Sequence, residues 1–262
     1  SAKSELLRTE FGIQARRLVD QQLTDMEPAL REGLAGAWYF PDDAHLRPDH
    51  LLRSWRESLV QRGVTVQEQT EVRALSLRKE CARAVITDRG DIRAEQFVFA
   101  TGAMTPLLAR DLGWQAPIQP AKGYSLTMPR PEPCPQFALH FVDYGVVATP
   151  WLSGYRLGSI LEFSGYNRRI DPHRVALLRD GANQYLAEPC TETVEETWVG
   201  WRSMTPDGLP RIGPCPVASN VYVAAGHNML GMSMAPATGQ MIAQILNDHT
   251  PTIDPEPYRL AA

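Results

Sequence analysis

The chain has 262 residues, 44% of them hydrophobic, and a formal net charge of -4. That is enough apolar material for one large core or two modest ones, which argues against disorder. The acidic balance provides no broad basic field, so nucleic acid is not expected as a partner and a small-molecule function fits best.

Taken in chain order, residues 3–32 read as helical with a break, because Leu6, Leu7, Phe11, Leu18, Leu23 and Met26 recur at three- to five-residue spacing among charges. A short extended piece at 37–40 follows. Leu51, Leu52, Trp55 and Leu59 then form one apolar stripe, with Pro48 suited to a first turn and Gly63 to a helix end, which predicts a helix at 48–62. Residues 64–68, 72–77, 82–87 and 97–100 are β-rich, and Asp88, Arg89, Gly90 and Asp91 have turn chemistry between two of them.

The proline-rich stretch 117–165 carries β-like runs at 124–128, 146–149 and 155–161, the pattern of an antiparallel sheet with loops. Asp171 and Pro172 supply an N-cap and a first turn for a helix reaching about Leu186, and a strand is expected at 193–201. The last third returns to α/β grammar, with a strand at 221–225, a turn at 226–231 and a helix at 234–246 whose first turn tolerates Pro236.

Cys81, Cys134, Cys190 and Cys215 form no CxxC pair and no cluster with histidine, so neither zinc nor a compact disulfide framework is expected. Four scattered thiols suit a reducing compartment, and the expected location is cytoplasmic, with peripheral membrane contact left open. No run of eighteen apolar residues occurs, so neither a leader nor a spanning helix is expected.

Three stretches can carry chemistry. In residues 221–239 an apolar strand feeds a glycine-bearing turn and a helix start, which offers backbone N–H groups and a positive dipole end to an electron-rich ligand. A tight turn between buried elements explains the same residues equally well. The strand ending in Ala100, Thr101 and Gly102 reads on its own as a buried strand and turn. In residues 200–213, Arg202 lies near a strand end, where its guanidinium can hold a carboxylate through two parallel hydrogen bonds; a solvated surface arginine is the alternative.

Together, residues 100–102 (ATG), 120–125 (PAKGYS), 201–210 (WRSMTPDGLP), 226–231 (GHNMLG) and 235–239 (APATG) resemble the D-amino-acid oxidase superfamily of FAD enzymes. The likeness is closest to D-amino-acid dehydrogenases, with glycine oxidases next, and it extends upstream to 25–28 (DMEP) and 46–48 (LRP). The resemblance implies oxidation of a Cα–N bond of an amino acid or amine, with hydride passing to the flavin and the imine hydrolysing afterwards. It implies that Arg202 anchors the substrate carboxylate. It implies that Gly226, His227, Asn228, Met229, Leu230, Gly231 and Met232 face the flavin, with Ala100, Thr101 and Gly102 near the cofactor and Val72 at adenine. Tyr124 and Tyr144 are candidate pocket walls, an ordinary half-buried tyrosine being the alternative for each. No side-chain base is required, so no catalytic acid or base is assigned, and His227 is read as structural.

The implied fold is α/β and α+β: a partial FAD/NAD(P)-binding-type sheet domain at 47–105 and 208–262, interleaved with a mainly antiparallel substrate-binding domain at 1–46 and 106–207. Two departures stand out. No GxGxxG occurs, and no βαβ unit opens the chain, although the family needs both for the FAD diphosphate. The expectation is therefore an N-terminally truncated family member, its missing part upstream or on a partner subunit. Met229 stands where glycine oxidases carry arginine, which favours the dehydrogenase-like branch. The alternative is a non-catalytic binding or assembly module without FAD. Quinone or oxygen as electron acceptor, and a homodimer, stay open.

Overall fold

The computed structural model describes residues 2–260. In chain order the elements are α1 (Ala2–Phe11), β1 (Arg16–Leu18), α2 (Asp20–Met26), β2 (Ala37–Tyr39), α3 (Pro48–Gln61), β3 (Val72–Arg78), β4 (Cys81–Thr87), β5 (Gly90–Arg93) and β6 (Phe97–Phe99). Then come α4 (Thr105–Asp111), β7 (Gln119–Met128), β8 (Leu139–Phe141), β9 (Val146–Trp151), β10 (Gly154–Glu162), α5 (Pro172–Asn183), β11 (Glu196–Met204), β12 (Arg211–Pro214), β13 (Val221–Ala225) and α6 (Gly231–Leu246). The mixture is α/β and α+β, as the sequence implied.

Contacts divide these elements into two units. The first takes residues up to Val66, Gly123–Ile160 and Arg168–Val199; the second takes Gln67–Lys122, Leu161–Asn167 and the chain from Gly200 onward. These limits differ from the expected breaks at 46, 105 and 207, because α3 clusters with the first unit and because β7, β10 and β11 each have residues assigned to both units.

In the first unit, a sheet ordered β11, β7, β10, β9, β8 supplies most of the core. Leu126, Met128, Ala148 and Leu157 are buried there with Leu178, Ala182 and Leu186 of α5 and its exit. Asp171 caps α5 as expected, its side chain accepting from the His173 N–H at 2.9 Å. The stretch 3–32 is a correction: between its two helices Arg16–Leu18 is extended and pairs antiparallel with Ala37–Tyr39, so long-range pairing overrides the helical spacing.

In the second unit β3 and β4 form as expected, and β5, where the sequence had shown only turn chemistry, pairs with β4 so that Thr87 lies opposite Gly90 at the tight turn. The Asn220 side chain ties this meander to β13, accepting from the Ala82 N–H at 2.8 Å and donating to the Ala82 and Glu95 carbonyls at 2.9 and 2.7 Å. The expected strand at 64–68 does not form: Val64 donates back to the Leu59 carbonyl at 3.0 Å, in the manner of a helix end. Four further short elements went unread: β5, α4, β8 and β12.

Candidate flavin-facing site

The site begins with two parallel strands in register. β6 and β13 pair Phe97 with Val221 and Phe99 with Val223, and both are packed in one apolar cluster with Trp114 and Ile118. Equal register means that both chains leave the sheet at the same carboxyl edge, where ligands bind in open α/β sheets. From β6 the chain passes through Ala100 and Thr101 into a tight 3-10 turn at Gly102–Met104; from β13 it passes into Gly226 and the loop beyond.

Gly226 has φ +83°, and a Cβ placed there would lie 2.7 Å from Thr205 Cγ2, so a side chain is excluded both by conformation and by space. Two residues on, Asn228 has φ +54° and serves as the hub of the loop. Its backbone N–H donates to the Ser203 carbonyl at 2.9 Å, closing an antiparallel bridge onto the end of β11. Its side-chain oxygen accepts from the Thr205 N–H at 3.0 Å, while its amide nitrogen reaches Thr205 Oγ1 at 3.1 Å and the Gly208 and Gly226 carbonyls at 3.0 Å each. The Gly226 N–H donates to Ser203 Oγ at 3.0 Å. The loop is therefore bolted to the residue that follows Arg202.

Strand alternation then separates the side chains. Ser203 turns its hydroxyl to the loop, so Arg202 projects from the other face of β11. Burial pushes the Arg202 guanidinium below its usual range, yet an arginine stays cationic at neutral pH. On the adjacent position Trp201 meets the ring of Tyr166 edge-on at 5.9 Å, and the Tyr166 hydroxyl donates to the Ala103 carbonyl at 2.8 Å. These contacts link the strand of Arg202 to the turn after Gly102. Lys122 of β7, 1% exposed, pairs with Glu162 of β10 at 3.0 Å in the same unit.

Beyond Asn228 the loop runs into α6, which begins at Gly231 rather than at Met234; Pro236 thus lies inside the helix and not in its first turn. No side chain caps this N-terminus. The first N–H groups of this 16-residue helix thus present the positive end of its dipole without a side-chain cap. His227 hydrogen-bonds through Nε2 to Thr238 Oγ1 of the same helix at 2.9 Å, and burial lowers its affinity for a proton. That fits the structural reading of this histidine.

Of the residues singled out from sequence, Gly226 and Asn228 are hydrogen-bonded to Ser203, the neighbour of Arg202 in β11, and His227 to α6, which opens at Gly231; Ala100, Thr101 and Gly102 leave the neighbouring strand at the same edge as Gly226. Val72 opens β3 opposite Thr87, apart from this bond network. Tyr124 and Tyr144 belong to the first unit: Tyr124 is buried in its core, and Tyr144 meets Tyr185 edge-on at 6.0 Å. Ser203, Thr205 and Tyr166 had not been singled out. The available signal was an asparagine three residues before a helix start, a position that favours left-handed backbone and local side-chain bonding.

The residues present fit the ring end of FAD. At Gly231 a Cβ would meet only His227 Cβ, at 3.7 Å, and Met229, Leu230 and Met232 beside it expose apolar side chains suited to a planar ring. Nothing in the sequence has the GxGxxG form that cradles the diphosphate.

Comparison with known proteins supplies the family. A D-amino acid dehydrogenase of Chromohalobacter salexigens is 30% identical over 97% of this chain and 62% of its own length. A glycine oxidase of Pseudomonas aeruginosa is 33% identical over 88% of this chain and 64% of its own length. The crystal structure of glycine oxidase from Geobacillus kaustophilus superposes with a TM-score of 0.89 at 27% identity, covering 99% of this chain and 70% of that one. The chain thus spans less than two thirds of the length of the curated relatives it matches. The family model described as FAD dependent oxidoreductase matches residues 1–245, and the chain belongs to that family.

Proposed function

We propose that this chain supplies the flavin-facing and carboxylate-binding parts of an enzyme that oxidatively deaminates an amino acid, in the manner of a D-amino-acid dehydrogenase or glycine oxidase. The observation that carries the reading is the bridge between Ser203 and Asn228, which ties the strand that carries Arg202 to the loop leading to the uncapped start of α6. Bound FAD would supply the acceptor for the electrons leaving the substrate's carbon–nitrogen bond. The chain's own residues divide the remaining work. Arg202 receives the substrate carboxylate through paired charge-assisted hydrogen bonds, and the N–H groups opening α6 stabilise negative charge placed against them. In this reading the second unit is the flavin-facing one.

The test is Arg202→Ala in the whole flavin-loaded protein that contains this chain. Losing a half-buried charged partner costs about 2 kcal/mol or more, so kcat/KM for an amino acid falls by about thirtyfold or more, and lysine restores little of it. Unchanged steady-state kinetics would remove the carboxylate-anchor role. The absence of GxGxxG from the sequence favours a second reading, a non-catalytic binding or assembly module. A preparation showing bound-flavin absorbance rejects it, and a colourless one supports it.

A further inference from the structure

The first unit contains a cleft of about 400 Å³ between α2, β2 and residues 137–139. We propose that this cleft binds a small organic ammonium ion that carries no carboxylate. Its walls are aromatic: Trp38, Tyr39, Phe40 and Phe137 all line it, with Tyr39 and Phe137 edge-to-face at 5.6 Å. Its ionic lining is of one sign, since Glu27 and Asp43 contribute carboxylates and no lysine or arginine is among the lining residues.

The two acids have different parts. Glu27 is 2% exposed and fully engaged: one oxygen accepts from the Gln136 and Phe137 N–H groups at 2.7 and 3.0 Å, the other from Ala29 at 3.3 Å. It fixes the Phe137 wall. Asp43 lies on the exposed loop after β2, where its carboxylate is accessible to a ligand. His45 adds an acceptor, because Nε2 faces the Pro150 carbonyl at 2.8 Å and must donate to it, which leaves Nδ1 unprotonated in the neutral ring.

Aromatic faces beside a carboxylate are the chemistry that selects cations. The protein already uses one of these rings in that way: the Arg16 guanidinium carbon lies 5.1 Å from the Tyr39 ring centroid, while Arg16 itself is outside the cleft lining. A ligand carboxylate would face Asp43 and Glu27, with no lysine or arginine among the described lining residues to offset them. The cleft is therefore the opposite of the Arg202 site in charge preference, and the inference does not depend on the oxidoreductase reading.

Calorimetric titration with benzyltrimethylammonium, with phenylacetate as the anionic counterpart, tests it on the whole protein that contains this chain. Saturable one-to-one binding of the cation is expected, with no saturable binding of phenylacetate. Asp43→Asn and Trp38→Ala, both at exposed positions, should each weaken the cation by about three- to thirtyfold, the range of a single cation–π or charge contact. Arg202→Ala should leave it unchanged. The proposal is overturned by equal binding of phenylacetate, by wild-type affinity in Asp43→Asn and Trp38→Ala, or by an absence of saturable cation binding.

Discussion

Helices α3 and α5 belong to the same unit and both begin with a proline in the first turn, yet they meet opposite fates. α5 buries Leu178, Gly181 and Ala182, and the space at Gly181 is so close that a Cβ would lie 2.8 Å from Val146 Cγ2 of β9. α3 has the cleaner apolar stripe and buries nothing: Leu52 is 56% exposed, Trp55 44% and Leu59 40%. Periodicity decides that a helix forms and which face is apolar, whereas burial needs a second surface. The segment just beyond α3 shows the same dependence. Val64 and Val66 have strand propensity, remain exposed, and form no strand, since a strand exists only by pairing.

Three substitutions can break or sharpen this contrast. The largest effect is expected from Leu178→Ala, which opens a cavity in a fully buried position and should cost about 2–5 kcal/mol in denaturant unfolding. A loss under about 1 kcal/mol would mean that α5 is not packed as described. Asp171→Ala removes the cap of α5 and should cost about 1 kcal/mol. The corresponding position of α3, Arg47, makes no capping bond. The smallest effect belongs to Trp55→Ala, expected within about 0.5 kcal/mol of wild type because the side chain is exposed on this chain. A cost above about 1 kcal/mol would show that something covers the stripe in solution.

What could be read from sequence follows the range of the interactions involved. Local chemistry was legible: Pro48 and the leucine stripe of α3, the cap at Asp171, the turn at Asp88 to Gly90, and the run from β13 through Gly226 into α6 are each written within a few neighbouring residues. Features that need a distant partner were not. Arg16–Leu18 forms a strand because Ala37–Tyr39 pairs with it, and residues 64–68 form none because nothing among the described residues pairs with them. The candidate site divides in the same way. Arg202 and the loop residues were recognisable from their motifs, but the bonds that tie their segments together run from Asn228 to Thr205, from Gly226 to Ser203 and from Tyr166 to Ala103, across 23, 23 and 63 positions of sequence.

The way β7, β10 and β11 are shared between the two units bears on how such a protein is made. A ribosome releases the chain from its amino end, and neither unit is a continuous stretch. The first unit lacks its last segment until Val199 has emerged, and the second gathers pieces that start at Gln67 and run on beyond Gly200. Nascent chains of intermediate length therefore hold half-built sheets with open edges, the species that chaperones bind. Trimming either unit to a shorter expression product would freeze it in that state.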